Sequence, residues 1–185
     1  YNKNASSATS TTEDTQETVL DVNSDDITSF SYVYEGEPYA FEKEDETWYY
    51  TDDHSLNLNQ DRIKAMILKV APLKADQVIE NVTDMSQYGL ADPERTIQYE
   101  TADRSVIINV GNLNSMTSQY YIAFPSEMKV YAVTTNVVTG FNYTLDDLVE
   151  ETTEATETAE TETAETETTE SVETVETETA ATGAN

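Results

Sequence analysis

The only histidine of the chain, His54, is the first residue whose chemistry has to be considered. It follows Asp52 and Asp53 and precedes Ser55, and a carboxylate, an imidazole and a hydroxyl are the groups from which activated nucleophiles are built. Neighbours in sequence do not form such a triad by themselves, because each group must lie within hydrogen-bond reach of the next. We therefore interpret His54 as an exposed, inert residue in a polar connection.

Sequence motifs of common catalytic and cofactor-binding sites do not occur in the chain. It contains no GxSxG, HExxH, P-loop or GxGxxG pattern. It has no cysteine, which excludes thiol catalysis, disulfides and cysteine-based zinc sites. Acidic pairs are so frequent that none of them indicates a glycosidase, which needs two carboxylates facing each other across a cleft. The sequence predicts a protein that is not an enzyme, with no catalytic residue, no cofactor and no metal site.

Aromatic side chains are the best candidates for binding a ligand. Trp48 precedes the pair Tyr49 and Tyr50, and a second pair is formed by Tyr120 and Tyr121. Successive side chains of a strand point to opposite faces, so one ring of each pair is expected in the core and the other outside. Aromatic residues also pack in sheets without binding anything. We name Trp48, Tyr50 and Tyr120 as candidate ligand-binding residues.

The charge of the chain narrows the choice of partners. Its formal net charge is −28. Residues 150–185 hold twelve Glu and no Lys or Arg and so contribute −12, which leaves −16 for residues 1–149. A negative field of this kind repels phosphate groups, so we predict no nucleic acid and no anionic lipid surface as a partner. No run of about 18 apolar residues occurs that would indicate a membrane span.

The elements that position these residues can be predicted from hydrophobic spacing. Residues 27–34, 39–43 and 47–51 are rich in β-branched and aromatic residues and are separated by turns, which predicts an antiparallel meander. Asn59 is a good N-cap for an amphipathic helix over residues 58–68, which Pro72 ends. The same criteria predict the following further elements: extended chain over 75–82, a helical turn over 84–88 ended by Gly89, hairpins of 96–100 with 105–110 and of 119–124 with 129–133, a polar loop over 111–118, and short helices near 137–141 and 144–147.

This order of elements predicts an α+β fold with a largely antiparallel β-sheet, built of a meander and hairpins, one main amphipathic helix and short helical turns. Residues 27–149 form the predicted domain, and residues 1–26 a flexible polar arm. Residues 150–185 read as a disordered acidic Thr/Glu tail. In that tail Glu recurs at spacing three, as in 151, 154, 157 and 160, which would place like charges beside each other on a helix.

Several segments, in this order, resemble a bacterial family, the domain of unknown function numbered 4340. They are Phe41-Glu42-Lys43 with Trp48-Tyr49, the helix Leu58–Leu68, Leu73–Ile79, Tyr88-Gly89-Leu90-Ala91-Asp92-Pro93, and Tyr120–Ile122 with Val130–Val133. The resemblance covers about residues 27–149 and ends before the tail. It supplies no catalytic residues, because its signature positions are apolar residues, Gly or Pro.

The resemblance implies an extracytoplasmic, cell-envelope protein, lipid-anchored or secreted. The chain starts at Tyr1 rather than Met, so we expect a processed chain, and its Asn/Ser/Thr/Glu-rich start resembles the spacer of an exported lipoprotein. We predict a non-enzymatic binding or assembly module whose partner is an envelope protein or membrane complex, with a role as a transporter auxiliary also open. Membrane contact is expected only through an N-terminal lipid anchor. The alternative is a small-ligand or glycan binding protein that uses exposed Tyr and Trp side chains.

Overall fold

The computed structural model describes residues 16–150, and residues 1–15 and 151–185 lie outside the described part. The predicted disordered tail and most of the predicted arm therefore fall outside it. The elements are β1 (Glu17–Leu20), β2 (Ile27–Tyr34), β3 (Glu37–Glu44), β4 (Thr47–Tyr50), α1 (Gln60–Ile67), β5 (Leu73–Ala75), β6 (Gln77–Glu80), β7 (Arg95–Thr101), β8 (Ser105–Asn114), β9 (Gln119–Ala123), β10 (Lys129–Thr134), α2 (Thr135–Thr139) and α3 (Leu145–Leu148), with 3-10 turns at Ser24–Asp26 and Ser86–Tyr88. Among these residues no helix is long and apolar enough to cross a membrane.

Eight strands form one sheet in the order β4-β3-β2-β7-β8-β9-β10-β6, and every neighbouring pair is antiparallel. β1 and β5 form a separate two-stranded antiparallel sheet. The α+β class, the largely antiparallel sheet and the single main helix are confirmed. The meander β2-β3-β4 and the hairpins β7-β8 and β9-β10 occur where the sequence predicts them.

The main core lies between one face of the sheet, which we call the inner face, and the helices. Phe30, Phe41 and Trp48 come from three adjacent strands, and their rings pack at centroid distances of 4.8 Å (Phe30 to Phe41) and 5.1 Å (Phe30 to Trp48). Helix α1 buries Ile63 and Met66 against them, as its i, i+3 spacing requires. Phe30 and Phe41 are stacked and Trp48 meets Phe30 edge to face, so the three rings form a continuous apolar block at this end of the domain.

Both ends of helix α1 have clear local causes. The Asn59 side chain accepts a hydrogen bond from the Arg62 N–H (2.8 Å), which confirms the predicted N-cap. The helix ends at Ile67, before Pro72, whose ring and missing N–H cannot continue a helix. The capping box predicted at Thr144 is also present, because Asp147 accepts from the Thr144 N–H (2.9 Å).

The side chain of Gln60 closes the edge of the sheet at β4. Its Oε1 accepts from the backbone N–H of Trp48 (2.8 Å), and its Nε2 donates to the Trp48 carbonyl (3.0 Å). The carbonyl of Tyr50, two residues on, accepts from the Asp53 N–H (3.1 Å). Three backbone groups that this edge strand would otherwise offer to another chain, the N–H and carbonyl of Trp48 and the carbonyl of Tyr50, are therefore already paired. The opposite edge strand, β6, pairs with β10 alone among the described residues.

Two predictions of element boundaries are wrong. Folded structure begins before Ile27, because β1 pairs with β5 and Val22 is buried in the main core. Strand β5 lies more than fifty residues further along the chain, so no local sequence pattern predicts this pairing. Strand β8 continues through the predicted polar loop to Asn114. An irregular register between Val110 and Leu113 allows this continuation, and a β-bulge inserts a residue without ending the strand.

A second, smaller apolar cluster lies on the opposite face of the sheet, which we call the outer face. The 3-10 turn Ser86–Tyr88 ends at Gly89, which has φ +71° and is the left-handed terminator that the sequence predicts. Leu90 then packs with Val130, and the ring of Tyr88 contacts that of Tyr121 at 5.0 Å. This cluster covers the outer face at the β9, β10 and β6 end only.

Candidate functional site

The outer face near β3, β2 and β7 carries polar and small side chains and a shallow groove. The groove has a volume of about 270 Å³. Its lining includes Ser29 and Ser31 of β2, Ala40 of β3 and Gln98 of β7. The small side chains follow from the alternation of β2, whose other positions, such as Phe30, belong to the core. Hydroxyl and amide groups therefore lie next to each other on a surface that no helix of the described residues covers.

One end of this groove is acidic. Glu42 and Glu100 occupy positions of β3 and β7 that are both opposite Ser29 of β2, so the two carboxylates flank one serine. The Ser29 hydroxyl donates to Glu100 Oε2 (3.4 Å). Such a row of donors and acceptors can bind hydroxyl-rich groups, and its carboxylates favour cationic ones.

His54 lies beside this acidic end. Its Nε2 is 2.7 Å from Glu42 Oε1, and the two side chains are 40 % and 41 % exposed. Glu44 is the next residue of β3 on the same face, and one ligand atom from each of Glu42, Glu44 and His54 lies within 4.8 Å of the others. We call these three residues the Glu–Glu–His cluster.

The position of the His54 ring is fixed by its neighbours. Tyr49 lies directly across from Glu42 in the β3–β4 pair, and its ring stacks on the imidazole with a centroid distance of 5.1 Å and an interplanar angle of 17°. Asp53 holds the turn, since its Oδ1 accepts from the N–H (2.9 Å) and from the hydroxyl (2.6 Å) of Ser55. The hydrogen bond from the Ser55 hydroxyl, and after it the one from the Ser55 N–H, lowers the pKa of Asp53. The Asp53 carboxylate therefore stays ionised next to His54.

The three predicted ligand-binding aromatics do not form an exposed patch. Trp48 is only 3 % exposed and belongs to the main core. Tyr50 lies on the same face and packs on Phe41 at 5.5 Å, and Tyr120 also packs against the main core. Strands β4 and β9 are five steps apart in the sheet, which corresponds to about 24 Å. The ring that points to the outer face is Tyr49, not Trp48 or Tyr50.

Sequence reasoning missed the Glu–Glu–His cluster for a specific reason. Trp48, Tyr49 and Tyr50 are all aromatic, so alternation alone does not tell which ring points inward. The burial of Trp48 decides it and places Tyr49 and Glu42 on the outer face. The spacing of Glu42 and Glu44 by two residues is the one local signal that both carboxylates share a face.

Comparisons with known proteins identify a family and nothing more specific. The family model described as domain of unknown function (DUF4340) matches residues 48–184. The match begins later than the predicted residue 27 and extends beyond residue 149 into the segment rich in Thr and Glu. No curated protein and no solved structure matches the chain.

Proposed function

This chain belongs to the family described as domain of unknown function (DUF4340), and we propose that it is a non-enzymatic, extracytoplasmic binding or assembly module of the bacterial cell envelope. Its partner is an envelope protein or a membrane complex. One such complex is a transporter, which this protein would assist as an auxiliary subunit. The chain itself is held at the membrane by an N-terminal lipid anchor, or it is secreted. The polar, spacer-like residues after Tyr1 support the anchored form.

The observation that carries the proposal is the uncovered part of the outer face. Among residues 16–150, one face of the sheet is covered by α1, α2 and α3, and the other is covered only by the small cluster around Leu90 and Val130. The groove between Ser29, Ser31 and Gln98 lies in the remaining part. A shallow polar groove on a hydrogen-bonded sheet suits contact with another macromolecule, because little order has to be created on binding.

A crosslinking experiment in intact bacteria tests the partner. A photo-crosslinking amino acid replaces Ser31, in the groove, or Lys64, which is exposed on α1 at the other side of the sheet. The natural gene with its own upstream sequence is expressed in both cases. We expect a discrete adduct from position 31, none from position 64, and loss of the adduct when Ser29→Arg fills the groove.

The location is tested in the same cells by fractionation and by protease treatment of spheroplasts. We expect the protein in the envelope or secreted fraction and accessible to the protease. A protein that stays in the cytoplasmic fraction, or a position 31 that crosslinks no more than position 64, would contradict the proposal.

Glycan binding is the second candidate function, and one observation favours it. The groove combines hydroxyls (Ser29, Ser31), an amide (Gln98) and carboxylates (Glu42, Glu100), which are the groups that hydrogen-bond sugar hydroxyls. It therefore depends on the groove rather than on Trp48, Tyr50 and Tyr120. Soluble cell-wall glycan fragments should shift the NMR signals of residues in the groove and leave those of α1 unchanged. No shift at millimolar fragment would exclude it.

A further inference from the structure

The Glu–Glu–His cluster has a composition and geometry that a hydrogen bond between His54 and Glu42 alone does not require. A hydrogen bond uses His54 Nε2 and one carboxylate oxygen of Glu42, at 2.7 Å. Glu44 adds a second carboxylate, and the three ligand atoms lie within 4.8 Å of one another. Two carboxylates and one imidazole are ligands that Zn²⁺ and other divalent transition metals accept.

The distances are close to those of a metal site. Zinc bonds of about 2.0–2.2 Å to nitrogen and oxygen place tetrahedral ligand atoms about 3.4 Å apart. The separations in the cluster range from 2.7 Å, between His54 Nε2 and Glu42 Oε1, to no more than 4.8 Å. Side-chain rotations of exposed residues bridge such differences, so the backbone of β3 and β4 need not move.

The His54 ring and the backbone that carries the two glutamates are held in place before an ion binds. The Tyr49 ring stacks on the imidazole, and the turn that carries His54 is fixed by the two hydrogen bonds from Ser55 to Asp53. Glu42 and Glu44 belong to a strand paired on both sides, with β2 and β4. Holding ligands in place before the ion arrives reduces the entropy cost of binding.

Charges around the cluster favour a cation. Asp53 and Glu100 add negative charge to that of Glu42 and Glu44. Lys43, between the two glutamates in sequence, turns to the other face, where its Nζ donates to the Asp25 carbonyl (2.6 Å) and lies over the Trp48 ring. Within residues 16–150, neither glutamate forms an ion pair with a Lys or Arg.

We propose that Glu42, Glu44 and His54 form a binding site for one divalent transition-metal ion of the zinc class. Three protein ligands leave one position of the ion open for water or for a donor atom of a bound partner. The site does not rest on the proposed function, because it would hold the ion whether or not the groove binds a partner.

Zinc chloride alone is the probe for this site. Because His54 is the only histidine of the chain, the NMR spectrum of the histidine-labelled protein contains a single imidazole. We expect that imidazole to shift until one equivalent of Zn²⁺ is added and then to stop, and calorimetry should find one saturable site. This readout separates the cluster from weak binding to the many other carboxylates, which do not move the imidazole signal.

Variants test whether the whole cluster binds Zn²⁺ or whether His54 binds it alone. Glu44→Gln should weaken the saturable binding by at least about tenfold, and His54→Ala should abolish it. Glu94→Gln, which removes an exposed carboxylate outside the cluster, is the matched control and should bind like the wild type. Circular dichroism verifies that each variant is folded. An imidazole that does not respond to one equivalent, or a Glu44→Gln variant with unchanged affinity, would overturn the proposal.

Discussion

At the scale of single residues, Gln60 has an unusual position. It belongs to α1, yet its amide pairs with both backbone groups of Trp48 in β4. A side-chain amide has the same donor and acceptor as a peptide group, so Gln60 takes the place that a neighbouring strand would occupy. These bonds are partly buried, and buried polar groups are costly to leave unpaired.

Replacing Gln60 by alanine should therefore destabilise the domain. The change leaves the N–H and the carbonyl of Trp48 without partners, and we expect a loss of about 1–3 kcal/mol in the free energy of unfolding. Gln60→Glu should also be destabilising, since a carboxylate still accepts from the Trp48 N–H but sets its second oxygen against the Trp48 and Leu58 carbonyls. Urea unfolding measures both, with Lys64→Ala of the same helix as a control that changes stability by no more than about 0.5 kcal/mol. Equal stability of Gln60→Ala and wild type would contradict this role.

Buried tyrosines predict how the domain responds to alkali. Burial raises the pKa of Tyr99 to about 12 from 10.0, and it also raises the pKa of Tyr32 and of Tyr131. A tyrosine whose pKa is higher in the folded state stabilises the fold fully below its unfolded pKa, and this contribution is lost as the pH rises through the folded value. For Tyr99 the loss falls between about pH 10 and pH 12.

The Tyr99→Phe variant should therefore unfold at a higher pH than the wild type, since phenylalanine cannot ionise. Circular dichroism followed from neutral to alkaline pH, together with tyrosinate absorbance, gives the midpoint. The exposed fraction of tyrosines should ionise before the fold is lost. A midpoint that does not move would show that ionisation of Tyr99 does not drive the transition.

At the scale of elements, the segment Tyr88-Gly89-Leu90 has a defined structural role in this fold. The segment crosses β8 at Gly111, where a Cβ atom would lie 2.1 Å from the Tyr88 carbonyl oxygen and 2.8 Å from Leu90 Cγ. The crossing brings Leu90 and Tyr88 onto the small cluster of the outer face. Glycine at 111 is required by close approach, whereas glycine at 89 is required by its left-handed conformation.

Gly111→Ala should push this segment off the sheet. We expect a destabilisation of about 1–3 kcal/mol, as for overpacking in a tight contact. The aromatic contact between Tyr88 and Tyr121 should weaken at the same time, which NMR shifts of the two rings report. The control is Gly36→Ala in the β2–β3 turn, where no atom lies within 4 Å of the added Cβ, so it tests backbone strain without a clash.

At the scale of the whole molecule, charge is the dominant property. The chain has 37 acidic and 9 basic residues, and such an excess repels itself in the compact state. Sodium chloride screens this repulsion over roughly 10 Å at 0.1 M. The melting temperature should therefore rise with added salt, as differential scanning calorimetry at several salt concentrations will show.

A chain that ends at Glu150 tests whether the last segment contributes to the fold. Glu150 is tied to the domain, because its N–H donates to the Asn57 carbonyl (2.8 Å). We expect the shortened chain to unfold in one cooperative transition, and its melting temperature to depend less on salt because it carries fewer charges. Loss of cooperativity would show that residues beyond 150 take part in folding.

Local signals predicted much of this fold. Asn59, the i, i+3 spacing of Ile63 and Met66, Gly89, and the pair Thr144 and Asp147 act within a few residues of themselves, so their patterns can be read along the chain. Pairing between distant segments cannot be read in this way. Nothing near Glu17 indicates that β1 pairs with Ala75 in β5, and an arm with few apolar residues was the simpler interpretation.

The candidate sites were harder to predict for a related reason. Whether Tyr49 or Tyr50 points outward depends on the packing of Trp48 against Phe30, which is a contact between strands distant in sequence. His54 acquires its neighbours Glu42 and Glu44 only when the β3–β4 hairpin closes. Residue types alone therefore suggested an inert histidine and an aromatic patch, where folding places a carboxylate–imidazole cluster.

The unequal edges of the sheet bear on how copies of this protein can associate. To form a filament by strand pairing, each copy must offer unpaired backbone groups at both edges of its sheet. In the eight-stranded sheet, Gln60 and Asp53 pair with the Trp48 N–H and carbonyl and the Tyr50 carbonyl at the β4 edge. At the other edge, β6 has no strand beyond it among the described residues. Within the eight-stranded sheet of residues 16–150, pairing between copies would then join β6 to β6 about a two-fold axis and stop at a dimer, because the β4 edge of that sheet is already occupied.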